Sequence, residues 1–213
     1  MVRKILATYT GWLILVNVIA FVGFLVLISS IGEDTAVSWL AIQPAAILSG
    51  KYIWTFITSM FMHAGLGHLF VNMLSLVFIG SFVERLVGKR RFLGLYFGAG
   101  LFAGLFFVLV ALVTQTDLNI YAVGASGAIF GLGGLLAVLT PRLPVLVFFI
   151  IPMPMWLAMV FLMVGIWAIS LAADLPIGNV AHLGGLVVGL GYGFYLKRKY
   201  PRKTKMISRY FSK

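Results

Sequence analysis

Cysteine is absent from the 213 residues, and acidic residues number only five. The first absence excludes disulfides, thiol catalysis and cysteine-ligated metals together. The second, against 16 lysines and arginines, leaves a formal net charge of +11 and few carboxylates for acid–base work. Charged residues of either sign make up 10% of the chain, where soluble domains carry about 25%. What fills the sequence instead is apolar: 62% of the residues, with a mean hydropathy of +1.10. Such a chain cannot turn a polar exterior to water on every side. Because only helices and closed barrels satisfy all backbone groups in lipid, it reads as an all-α polytopic membrane protein, one helical-bundle domain over residues 1–213.

A span takes about 20 apolar residues, with a range of roughly 17 to 25. Six stretches qualify, at about 9–31, 58–83, 92–114, 124–140, 154–172 and 179–196. The first follows Arg3 and Lys4 and runs to Ile31, longer than the roughly 7 to 15 residues of a signal-peptide core, so it is read as retained. Residues 32–56, with Trp39, Pro44 and Trp54, form a loop suited to the membrane interface. From Leu143 to Ala173 the chain is apolar throughout, and Pro152 and Pro154 interrupt it. Proline is accepted at a helix start. The fifth helix is therefore expected from about Pro154, after an interfacial connection over Pro141–Met153. With a cytoplasmic N-terminus, every lysine and arginine except Lys51 falls inside, while Glu33, Asp34, Asp117 and Asp174 fall outside and Glu84 inside. Both termini are thus expected in the cytoplasm. The basic tail 197–213 reads as topology and attraction to anionic lipid, with no nucleic-acid partner.

One stretch, Tyr121 to Gly134, holds a single serine among small residues. Gly127, Gly131 and Gly134 give the segment a face bare of side chains, open to close approach by another helix. Ala181, Gly185 and Gly189 form a complementary stripe beside His182. Contact between these faces is expected to bring Ser126 Oγ and His182 within about 2.6 to 3.2 Å. His63, His68 and Asn72 are expected in the outer part of the second helix, with His68 and Asn72 on one face. Glycine, serine and single histidines also serve plain packing in membrane helices. The conjunction argues for more, because a nucleophile, a base and oxyanion donors fall on one level in a setting where polar groups are expensive. Imidazole suits the base, its ordinary pKa lying near operating pH. No carboxylate is positioned to orient His182, so a dyad is expected rather than a triad. His63 and His68 are five apart and point to different faces, no HExxH occurs, and neither metal nor cofactor is expected.

The order His63-Ala-Gly-Leu-Gly-His68-Leu-Phe-Val-Asn72, then Gly124-Ala-Ser126-Gly127, then Ala181-His182-Leu-Gly-Gly185, across six spans, resembles the rhomboid intramembrane serine proteases. The resemblance implies Ser126 as nucleophile, His182 as general base, and His68, Asn72 and the Ser126 amide as oxyanion hole. Glu84, with Gly88 after it, matches a structural acidic position. Two departures stand out: Trp54-Thr55 replaces the Trp-Arg of many relatives, and Phe130 stands where many have a tyrosine stacked on the catalytic histidine. The family implies single-span membrane-protein substrates cut near the outer surface, entering beside the fifth helix at a gate that would include Trp156 and Phe161. A prokaryotic plasma membrane is the expected location. The alternative is a rhomboid-like protein that binds membrane clients without cutting them. A transporter would show mid-membrane charges and internal repeats, and neither is present.

Overall fold

The structure is a computed structural model that describes residues 7–147, 150–173 and 178–211. Arg3 and Lys4, Asp174 and the last two residues of the tail lie outside the described residues. The chain begins with α1 (Tyr9–Ile31), whose first turn is capped by Thr8 Oγ1 accepting from Gly11 N at 3.0 Å. Three short helices follow, α2 (Glu33–Leu40), α3 (Pro44–Leu48) and α4 (Thr55–Thr58), in the segment read as interfacial loop. Next come α5 (Leu66–Ser75), a five-residue π-helical segment (Leu76–Gly80) and α6 (Ser81–Val87), together one helical run of 22 residues. Then come α7 (Lys89–Thr114) and α8 (Ser126–Leu139). A hairpin of β1 (Pro144–Val147) and β2 (Ile151–Pro154) leads to α9 (Met155–Ala173), α10 (Asn179–Lys199) and α11 (Pro201–Tyr210).

Among the described residues, four helices are long and apolar enough to cross a membrane: Tyr9–Ile31, Leu66–Val87, Lys89–Thr114 and Met155–Ala173; the helix at the expected sixth span, Asn179–Lys199, is not one of them. The expected fourth span is a 14-residue helix, below that length. It is the centre of the bundle. Every α8 residue except Ser126 and Ala137 is buried, because α7, α9 and α10 all pack against it. A helix apolar on all sides has no solvent face to present, and interior burial is the stable solution. Its glycines set the spacing. A Cβ on Gly185 would overlap Gly127 O, one on Gly189 would overlap Gly131 O, and one on Gly134 would come within 2.7 Å of Leu186 O. The two glycine faces therefore meet backbone to backbone, as the stripes predict.

Two further features depart from the sequence reading, and a third adds to it. The second long helix starts at Leu66, not near residue 58. Residues 59–65 are not helical, and Ser59 O accepts a hydrogen bond from Gly124 N at 2.8 Å. The connection after α8 is an antiparallel hairpin with Pro144 opposite Pro154 and Val147 opposite Ile151, so the fold is helical with one small sheet, not all-α. Finally, much of the basic tail is helical: Pro201 occupies the first turn of α11, where its missing N–H costs nothing.

Glu84 is buried at the start of α1. Its carboxylate accepts from Tyr9 N (3.0 Å), Thr10 N (2.9 Å) and Thr10 Oγ1 (2.7 Å). Free N–H groups and the positive end of the helix dipole favour an anion there. The structural role implied for this acid thus has a physical basis.

Candidate active site

The segment that delivers Ser126 is fixed by backbone bonds. Ile42 and Ala122 exchange N–H···O bonds of 3.1 and 2.8 Å, Ala45 N donates to Leu118 O at 2.9 Å, and Gly124 N donates to Ser59 O. At Gly124 the chain turns with φ +117°, a region that L side chains rarely adopt. The helix begins immediately afterwards. Ser126 is its first residue, so the amides of Ser126 and Gly127 have no acceptor within the helix.

His182 sits one turn into α10, its Nε2 2.7 Å from Ser126 Oγ. Its other ring nitrogen, Nδ1, has no hydrogen-bond partner among the described residues. What holds the ring is Phe130, one helical turn beyond the serine, stacked on it at a centroid distance of 4.5 Å and 15° between planes. Gly127 and Gly185 are the close-approach positions that let the two helices carry Ser126 and His182 to this distance.

His68 reaches the same place from α5. A Cβ built on Gly124 would lie 2.9 Å from both Cε1 and Nε2 of the His68 ring and 3.7 Å from Ser126 Oγ, so imidazole and hydroxyl flank one glycine. Asn72 is 4% exposed; one N–H of its Nδ2 donates to His68 O at 2.9 Å, the amide carries a second N–H, and its Oδ1 has no partner among the described residues. His63 precedes α5 and does not lie on it. It is fully buried behind His68, their rings edge to face at 5.1 Å. Trp156 and Phe161 lie on α9, half exposed on the outside of the bundle. Among the described residues no group of three or more potential metal ligands occurs.

The backbone clamp formed by Ser59, Ile42 and Ala122 escaped sequence reading, since main-chain bonds leave no side-chain signature. The Gly-Ala-Ser-Gly run held the one available clue, a glycine placed where positive φ is required.

A hydroxyl within hydrogen-bond reach of an imidazole, beside helix-start amides that have no acceptor within the helix, is an arrangement that can attack a carbonyl and hold the resulting oxyanion. The chain is 30% identical over 174 residues to the mitochondrial rhomboid protein 1 of Saccharomyces cerevisiae, covering 78% of this chain and 49% of that one. It is 35% identical to the rhomboid protease GluP of Bacillus subtilis (62% and 24% covered) and 37% identical to the inactive RHOMBOID-like protein 8 of Arabidopsis thaliana (42% and 24%). The chain thus spans less than half the length of each. Yeast mitochondrial, plant and bacterial proteins appear together, so they give no support to the expected prokaryotic plasma membrane. A family model described as the rhomboid domain matches residues 50–199, and the chain belongs to the rhomboid family.

Proposed function

We propose that this chain is a serine endopeptidase that hydrolyses transmembrane segments of membrane proteins near one membrane face, with Ser126 as nucleophile and His182 as general base. The observation that carries the reading is the 2.7 Å approach of Ser126 Oγ to His182 Nε2. To act as base, Nε2 must be unprotonated, so the ring proton resides on Nδ1. As Oγ bonds to the scissile carbonyl carbon, its proton passes to Nε2 and the carbonyl oxygen becomes an oxyanion. The available donors are the amides of Ser126 and Gly127, the His68 imidazole and the second N–H of Asn72. Losing one such donor costs about 2.7 to 4 kcal/mol of transition-state stabilisation. Collapse expels the amine with the proton held by His182, and a water activated by the same ring then releases the acyl group. Phe130 supplies by stacking the orientation that a carboxylate provides in a triad.

On this reading α8 and α10 complete six membrane passages. At 1.5 Å per residue α8 is about 21 Å long against a hydrocarbon core of about 30 Å. The irregular segment before Ser126 completes the passage, and such backbone is tolerated at depth only inside protein or against a water-filled cavity. Ser126 is consequently sunk below the surface with a route for water, at the far end of α10 from Lys199, roughly 25 Å away along the helix. On this reading the start of α1 and the end of α10 lie on the side of the basic segments.

A client-binding protein without activity is the second reading, favoured by the relative named inactive. Incubation with single-span reporter proteins in liposomes separates the two. Wild type cleaves a reporter, and Ser126→Ala and His182→Ala both lose cleavage while their unfolding transitions stay put. Products that persist with Ser126→Ala remove the assignment, and wild type that captures reporters intact favours the second reading.

A further inference from the structure

The end of the molecule opposite Ser126 carries a polar cluster that peptide hydrolysis does not use. Arg91, in the first turn of α7, donates from Nη2 to Tyr200 Oη at 3.1 Å and stands 5.3 Å from the centre of that ring. Lys199, at the end of α10, lies 5.8 Å from the same ring; it also donates to Tyr195 Oη at 2.8 Å. Two cations are thus gathered on one tyrosine. Glu84, the only acid in the helical run that leads into α7, has both oxygens committed to Tyr9 and Thr10. Lys89, Arg90 and Arg91 also occupy the first turn of α7, which contains no acidic residue. That is the positive end of the helix dipole, where cations are unfavourable and anions favoured. A charge-complementary partner would relieve both problems.

Directly beside the cluster runs a groove of about 270 Å³ between α7 and α10, lined by Arg91, Gly94, Leu95, Val188 and Tyr192. The helix faces that carry Arg91 and Gly94, and Val188 and Tyr192, continue past the groove: Gly98 follows Arg91 at i+7 and Lys199 follows Val188 at i+11, so by helical spacing each face carries one cation at the end near the cluster. Gly94 and Gly98 differ from Gly100 and Gly104 of the same helix. Cβ atoms on the latter pair would press on Met60 and Ile42, whereas Cβ atoms on Gly94 and Gly98 would meet nothing within 4 Å. The face is exposed at both glycines, with nothing from the described residues against it.

We propose that this groove binds one anionic phospholipid, its phosphate between Arg91 and Lys199 and an acyl chain along the Gly94–Gly98 face. A glycine pair spaced in this way also suits a second copy of the chain. Symmetric pairing through this face would, however, bring Arg91 and Lys199 of one copy against the same cations of the other. A lipid phosphate matches the charge, and basic pockets between membrane helices are known to take such headgroups.

The test uses the full chain, delipidated in a neutral detergent and titrated with dioleoylphosphatidylglycerol, dioleoylphosphatidylcholine or inorganic phosphate. Adducts are counted by native mass spectrometry and the unfolding midpoint is followed in parallel. One phosphatidylglycerol is retained, with a raised midpoint, while phosphatidylcholine and inorganic phosphate give neither. The Arg91→Gln/Lys199→Gln double variant and Gly94→Leu, which fills open space, each weaken retention at least tenfold; Lys203→Gln/Lys205→Gln in α11 leaves it unchanged. Retention equal for both lipids, retention insensitive to Gly94→Leu, or a dimer that Gly94→Leu dissociates would each overturn the proposal.

Discussion

Phe130 is the residue on which the orientation of His182 turns. With no acceptor on Nδ1 among the described residues, the imidazole is held by the stack and by its bond to Ser126. Aromatic pairs are worth about 0.5–1.5 kcal/mol beyond burial, and about 1.4 kcal/mol corresponds to tenfold in rate. Phe130→Leu is therefore expected to lower the rate of reporter cleavage by roughly two- to twelvefold, while Phe130→Tyr stays near wild type. Initial rates on one reporter check this. Ser126, His182, His68 and Asn72 could all be picked out in the sequence, because polar side chains are scarce among so many apolar ones. The setting of Ser126 could not: its place as first helical residue depends on the Gly124 turn and the bond to Ser59, which are backbone events.

At the scale of elements, the contact between α8 and α10 sets the distance between hydroxyl and imidazole. Gly185 and Gly189 leave no room for a Cβ, whereas Gly191 on the same helix faces open space. Overpacking a tight contact typically costs 1–3 kcal/mol. Gly189→Ala is expected to lower stability by about that amount and to cut activity, since α8 and α10 must separate. Gly191→Ala, which trades glycine for the best helix former, is expected to match or exceed wild-type stability. Denaturant titration of the two variants measures the difference. Glycine spacing revealed this interface from sequence alone. The β1–β2 hairpin stayed hidden because a continuous apolar run gives no periodicity to separate strand from helix. The late start of α5 stayed hidden for a different reason: residues 58–65 are apolar enough to extend the helix, and what sets them apart is backbone bonding, turns at Met60 and Phe61 and the tertiary bond from Gly124 to Ser59.

For the molecule as a whole, charge and chemistry segregate to opposite ends. Lys197, Arg198 and Lys199 close α10, Arg91 meets Tyr200 near that end, and Ser126 meets His182 at the other. On the six-passage reading, a single cysteine at Lys89 or Lys205 is expected to react with an impermeant maleimide from one side of sealed vesicles, and one at Asp117 from the other. The natural absence of cysteine makes the background clean. The central claim is that Ser126 is a nucleophile activated by His182, and labelling with a fluorophosphonate tests it most directly. Peptide mapping of the labelled protein is expected to show one adduct, on the peptide containing Ser126, that disappears in His182→Ala. An adduct confined to another residue, or full labelling of Ser126 without His182, would contradict it.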